Sequence, residues 1–334
     1  MSTNLFDHAT SELSQDAALC WLAQWAEADN GAVNPLLHRL GKAFLERIYT
    51  LHGREMPAVS RVQVRRQAEH IDILLVVDGQ TAICIEDKRG SREHSGQLQR
   101  YRAAVEAMGY SPDRILLVYV QTWDQGSFED VLRAGFQVVE RKDLTGLLDA
   151  YKTWGGENAI ATDFHDHLCG LDGEFACYRE RPPAEWDHFC WMGFYSELRK
   201  RMGEGGWFHA SNPAGGFYGF AWGMEGQPEG PEPYLQLEHR KLCFKIDARD
   251  DADPRRVRAE WAQRIRDAAG AEGLAVRKPD RWGLGKTMTV QIYDGEYLQL
   301  DAEGRLDLEA TLSVLQSASS VMRRCCGATP PVCS

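Results

Sequence analysis

Ile71-Asp72-Ile73-Leu74-Leu75-Val76-Val77-Asp78-Gly79-Gln80-Thr81-Ala82-Ile83-Cys84-Ile85-Glu86-Asp87-Lys88 is the most informative stretch of the 334-residue chain. Two runs rich in β-branched residues flank Asp78-Gly79, a pair suited to the positive φ angles of a tight hairpin turn. With an odd-numbered loop centred on Gly79, Asp72 stands opposite Glu86, each seven residues from the glycine. Opposed residues share a face of the sheet, and Lys88, two positions on, shares it too. An even loop would set Asp72 against Ile85 or Asp87 instead. The odd register gathers two carboxylates and an ammonium at the open end of one hairpin.

Like charges facing each other across strands are destabilising. A divalent cation between them removes that penalty, and hard oxygen ligands suit Mg²⁺ or Mn²⁺. A lysine beside the cation can orient or deprotonate a water, or neutralise charge developing on a phosphate. The bland alternative is three polar residues at a solvated strand end.

Working outward, Leu13, Ala17, Cys20, Leu22 and Trp25 recur at helical spacing and predict a helix over Ser11–Ala26. A second helix is expected from Pro35 to Thr50, then strands at Val59–Arg66, Ile71–Val77 and Thr81–Asp87. A helix over His94–Met108 follows, then a strand at Arg114–Gln121, a short helix near Phe128–Ala134, a strand at Phe136–Glu140 and a helix over Asp143–Tyr151. Residues 1–155 thus read as a mixed central sheet flanked by helices, an α/β (α+β) core. Residues 156–334 read as an α+β recognition or partner-binding domain. It has helices over Ile160–Tyr178, Ala184–Met202, Asp253–Ala269 and Leu306–Arg323, and short strands near Trp207–Ala210, Phe217–Trp222, Tyr234–Glu238, Leu242–Asp247 and Thr287–Tyr293.

Hydrophobic residues make up 43% of the chain and charged residues 26%, which excludes a disordered or fibrous protein. No apolar run reaches the roughly 18 residues of a membrane helix, and the polar N-terminus does not read as a signal peptide. The expectation is a cytoplasmic protein whose nine scattered cysteines are mostly buried thiols. The net charge of −11 offers no global attraction for nucleic acid, so a polyanion would have to meet a local basic patch or metal ions. Residues 1–155 hold 17 basic and 21 acidic residues.

Asp72 followed by Glu86-Asp87-Lys88 resembles the D…(D/E)-x-K signature of the PD-(D/E)XK nuclease superfamily. Gln97-Leu98-Gln99-Arg100-Tyr101 is similar to the Gln-x-x-x-Tyr motif of its RecB-like and lambda-exonuclease-like branches. Glu12 resembles the glutamate that these nucleases carry on their first helix, and the order of elements agrees. Ile71 stands where the signature has proline. The resemblance covers about residues 8–150 and is nearest to bacterial members, several of which sit beside phage-defence genes.

It implies a restriction-endonuclease-like core and a Mg²⁺- or Mn²⁺-dependent deoxyribonuclease acting against foreign DNA. Asp72, Glu86 and the Asp87 carbonyl would be metal ligands, and Glu12 would hold the metal or its water shell. Lys88 would position the attacking water, while Gln97 and Tyr101, four apart on one helix face, would brace the lysine or contact a phosphate. Arg65, Arg66, Arg89, Arg92 and Arg100 flank the motif as candidate phosphate contacts. DNA is favoured over RNA, with a homodimer or a regulatory protein as the expected partner. The rival from another class is a non-catalytic nuclease-fold scaffold that serves a partner complex.

Three other signals read as structural. Gly283-Leu284-Gly285-Lys286-Thr287 has Asp280 where a phosphate-binding loop needs its first glycine. His165, His167, Cys169, Cys177, His188 and Cys190 match no zinc-ligand rhythm. Arg255, Arg256, Arg258, Arg264 and Arg266 share their helix with Asp253, Glu260 and Asp267, a mixture expected on a solvated face.

Overall fold

The structure, a computed structural model, describes residues 3–9, 11–68, 71–89, 97–211, 216–223, 230–249 and 253–327. They form two compact units, Met1–Gly173 and Glu174–Ser334.

The first unit opens with helices α1 (Glu12–Gln24), α2 (Asn30–Val33) and α3 (Pro35–Leu51). Pro35 takes the first turn of α3, and the Asn34 side chain caps it by accepting from Leu36 N and Leu37 N. Three strands follow, β1 (Val62–Ala68), β2 (Ile71–Val77) and β3 (Thr81–Lys88), then α4 (Gln97–Ala107), β4 (Ile115–Gln121), α5 (Glu129–Arg133), β5 (Gln137–Glu140) and α6 (Arg141–Thr153). The strands make one mixed sheet in the order β1-β2-β3-β4-β5. The first three run antiparallel, while β3, β4 and β5 are parallel. Parallel neighbours need crossovers, and α4 and α5 supply them.

The hairpin register is the odd one. Ile73 pairs with Ile85, Leu74 with Cys84 and Val77 with Thr81, all symmetric about Gly79. Asp78 and Gly79 both carry positive φ, at 50° and 66°, and the Asp78 carboxylate accepts from Ser60 N and Arg61 N. Leu74, Val76, Ala82, Cys84, Leu117 and Tyr119 face α4, whose Leu98, Tyr101 and Val105 complete that half of the core. Strand β3 is buried along its whole length.

Helix α7 (Ala159–Ala176) straddles the division between the units, so the first unit extends beyond position 155. Its early turns belong to that unit: Asn4 donates to Asp163 O, Phe6 packs on Phe164 at 5.0 Å, and His165 meets Asp149 at 2.8 Å.

The second unit contains α8 (His188–Met202), β6 (Gly206–Ala210), β7 (Phe217–Trp222), β8 (Glu232–Glu238), β9 (Lys241–Asp247), α9 (Pro254–Ala271), β10 (Val276–Arg277), β11 (Thr287–Tyr293) and α10 (Leu308–Cys325). Its antiparallel sheet runs β10-β11-β9-β8-β7-β6. Two expectations fail here. Cys177 and Cys190 are not thiols but a disulfide, because a 3₁₀ turn after α7 brings Cys177 to the first turn of α8 at a Cα separation of 5.2 Å. Arg258 is not on a solvated face of α9; it is 2% exposed, with its guanidinium 3.7 Å from the Trp282 ring centroid. Glycine at 193 permits close helix contact, since a Cβ there would lie 1.7 Å from Phe175 O. Among the described residues no helix is long and apolar enough to cross a membrane.

Gly193→Ala should therefore cost about 1–3 kcal/mol in chemical denaturation, because backbone cannot retreat from the added methyl. Gly270→Ala, on α9 with nothing within 4 Å of its Cβ, should be neutral or stabilising by up to about 1 kcal/mol. Equal effects would contradict the packing described.

Candidate functional site

The site lies at the open end of the β2–β3 hairpin, on strands whose register puts Asp72, Glu86 and Lys88 on one face. Glu86 is 0% exposed, and Lys88 is buried as well. The Lys88 ammonium pairs closely with the Glu86 carboxylate, and its Nζ lies 3.8 Å from Asp72 Oδ2. Asp72 is anchored from the main chain, accepting from Asp87 N at 3.1 Å. From α1, Glu12 accepts from Arg89 N at 3.3 Å, one residue past the lysine. From α4, buried Tyr101 hydrogen-bonds Glu86. The structure thus brings Glu12, Asp72, Glu86, Lys88 and Tyr101 together. Gln97 begins α4, but its side chain lies outside the described residues.

Burial and the nearby Asp72 charge push the Glu86 carboxyl up to about 7, against the pull of Lys88 and Tyr101. Burial works against the Lys88 ammonium, but Glu86, Asp72 and Glu12 outweigh it and hold its pKa above the usual lysine value. The lysine therefore stays charged at neutral pH.

A second layer lies on the opposite face of β3. Asp87, 1% exposed, points toward α1, where Gln15 Nε2 donates to its Oδ1 at 2.5 Å. Thr122, just past β4, donates to Gln15 Oε1 at 2.7 Å. Buried Asp16 interacts directly with Asp87. Burial and the Asp72 charge raise Asp16 to about 6, and burial and the Asp16 charge raise Asp87 well above the carboxylate range. Among the described residues no donor reaches Asp16 Oδ1 or Asp87 Oδ2, and one proton shared by the pair satisfies both. Asp16, Gln15 and Thr122 escaped the sequence reading. The available signal was the four-residue step from Glu12 to Asp16, which sets two acids on one helix face.

The candidate basic residues are dispersed. Arg65 and Arg66 are exposed neighbours on β1, and Arg66 donates to Leu13 O. Arg89 is half-buried, 5.6 Å from the Trp123 ring centroid, while Arg100 is exposed on α4. Arg92 lies outside the described residues.

As a cation site, the open end offers hard carboxylate oxygens from Asp72 and Glu86 and the main chain of Asp87, with Glu12 nearby. The mutual repulsion that raises Glu86 is the imbalance a divalent cation would relieve, so the donor chemistry fits Mg²⁺ or Mn²⁺. Glu12, Asp72 and Glu86 do not close into a three-carboxylate cluster. Among the described residues, the three-ligand grouping is Cys177, Asp187 and Cys190, and its two cysteines are joined to each other. Comparison with family models, with curated proteins and with solved structures finds no match.

Glu86 and the proton-sharing Asp16–Asp87 pair hold protons in the fold that the unfolded chain releases near pH 4. The stability that Asp16 and Glu86 contribute is complete below about pH 4 and is lost as pH rises through about 6 to 7. In EDTA the Tm should fall across that window, and Asp16→Asn should flatten the fall. A wild-type profile that is level between pH 4 and 7 would contradict the burial described.

Proposed function

We propose that this chain is a metal-dependent nuclease with a restriction-endonuclease-like core of the PD-(D/E)XK kind. It hydrolyses phosphodiester bonds in DNA and serves in defence against foreign DNA. One observation carries the reading: a buried lysine and two carboxylates meet at the end of an otherwise apolar hairpin, with a third acid reaching in from the first helix. Burying such groups costs several kcal/mol per ion before pairing, and a strand end built only for stability has no need of them.

Asp72 and Glu86 would hold Mg²⁺ or Mn²⁺, with the Asp87 carbonyl as a main-chain ligand and Glu12 holding its water shell. The cation, when bound, supplies charge that neutralises and polarises the scissile phosphate. The chain's own groups do the positioning. The Lys88 ammonium, held charged by Glu86, Asp72 and Glu12, orients the attacking water and offsets charge on the phosphate oxygens. Tyr101 fixes Glu86 from α4, and Asp87 N–H fixes Asp72. Gln15, Asp16 and Thr122 hold β3 from the far face, so its end cannot shift along α1. Attack of water on phosphorus breaks the bond to the 3′ oxygen, which leaves with a proton, and the 5′-phosphate stays on the other product.

Cleavage of supercoiled, linear and single-stranded DNA, and of RNA, tests this in Mg²⁺, Mn²⁺ or EDTA. Cutting should need the metal and fall by about 10²–10³-fold or more in Lys88→Ala, Asp72→Ala and Glu86→Ala. DNA should be cut in preference to RNA. A wild-type protein that binds metal at Asp72 and Glu86 yet cuts nothing would overturn the catalytic reading and favour a scaffold with the same fold.

A further inference from the structure

The loop between β10 and β11 of the second unit does not form a nucleotide-binding loop, because Thr287 begins a strand and not a helix. It nevertheless concentrates positive charge in an acidic protein. Residues 277–287 contain Arg277, Lys278, Arg281 and Lys286 against one acid, Asp280. Asp280 is taken by Arg277 at 3.0 Å, and Arg277 also meets Asp294. Among the described residues Lys278, Arg281 and Lys286 make no ion pair, and all three are exposed.

Beneath the loop lies Arg258 of α9, a buried guanidinium with no carboxylate partner among the described residues. It donates to Gly283 O and to Thr289 O, the latter at 2.7 Å, while its Nε meets no acceptor among the described residues. Two carbonyl dipoles do not cancel a full charge, and arginine stays protonated even where burial opposes it. The Arg258 side chain therefore ties the loop down and adds an uncompensated charge under it. Trp282 sits over that charge with 41% of its surface exposed, and Lys278 Nζ lies 4.4 Å from its ring centroid. Exposed Leu284 follows two residues on.

We propose that this loop is a nucleic-acid contact of the second unit, in which Lys278, Arg281 and Lys286 meet backbone phosphates beside the exposed Trp282. The proposal extends the nuclease reading of the first unit by naming a surface that holds the substrate strand. Phosphates are the favoured partner because these cations make no ion pair among the described residues, and because the surrounding chain is acidic. A net charge of −11 repels polyanions in bulk, so attraction has to come from a local cluster. An aromatic ring among cations is also the composition of surfaces that track single strands.

The test is binding, separated from cutting. The full-length protein in EDTA is titrated into a fluorescein-labelled oligo(dT) of about 20 nucleotides, with anisotropy read at several salt concentrations. Lys278→Glu combined with Lys286→Glu should weaken binding at least about tenfold. It should also shrink the slope of log K against log salt by about 1.4, the value for two single-strand phosphate contacts. Trp282→Ala should weaken binding at constant slope. Lys200→Glu, an exposed reversal on α8 of the same unit, should leave binding near wild type.

The proposal is overturned if the double variant binds like wild type, if Lys200→Glu is equally harmful, or if wild type does not bind. It is also overturned if inorganic pyrophosphate binds as tightly as the strand, or if phosphatidylserine vesicles bind through the same residues and the strand does not. Asp72→Ala keeps the two readings apart. Binding retained without any cleavage by wild type would sink the nuclease and leave this surface standing. Cleavage by wild type with unchanged binding in the double variant would do the reverse.

Discussion

Strand β3 sets the terms for the first unit. It is the junction between the antiparallel and parallel halves of the sheet, with β2 on one side and β4 on the other, and helices cover both faces. A strand in that position is normally apolar throughout, and Thr81–Ile85 nearly meets the rule. Glu86-Asp87-Lys88 breaks it with three ionisable groups in succession, all buried. The alternation of the strand then divides the problem between two faces. Glu86 and Lys88 neutralise each other on the α4 side, within reach of Asp72. Asp87 is left to α1, where Gln15 and Asp16 answer it.

The two faces are therefore coupled through a single strand end. The main chain of Asp87 holds Asp72 on the α4 side, while its side chain is held by Gln15 on the other. Thr122 and Gln121 close the arrangement from β4: Thr122 N donates to Lys88 O, and Gln121 Nε2 donates to Arg89 O. This network explains how a lysine can be kept charged and in one place inside a sheet. The surrounding hydrogen bonds leave few other positions for the strand end to occupy.

How much of this the sequence disclosed follows the range of the interaction. The hairpin, its register about Gly79 and the shared face of Asp72, Glu86 and Lys88 are local matters of turn chemistry and alternation, and the structure agrees with them. Helices α1, α3 and α6 lie within a few residues of their expected spans, and so does the end of α4, whose expected start at 94–96 lies outside the described residues. Contacts between distant segments were not legible. Nothing near Asp87 announces Gln15, 72 residues away, or shows that Thr122 reaches that same glutamine across 107. Cys177 and Cys190 looked unrelated because the turn that joins them has no distinctive sequence. Arg258 reads as solvated because the other charged residues of α9 are exposed, whereas the loop returning at Gly283 and Trp282 covers it. The tyrosine that fixes Glu86 was found through a motif, not through periodicity.

The parallel pairing of β3 with β4, which aligns Glu86 with Tyr119 and Lys88 with Gln121, also bears on the order in which the molecule is assembled. A hairpin such as β2–β3 closes within microseconds. Its charged end, however, has no complete set of partners until α4 has crossed over, β4 has docked and α1 has swung back from the start of the chain. Those closures are long, and their entropy must be met before the contacts reward it. The arrangement of Asp72, Glu86 and Lys88 thus depends on long-range closures as well as on the local hairpin, and a chain that lacks those closures carries the residues without their arrangement.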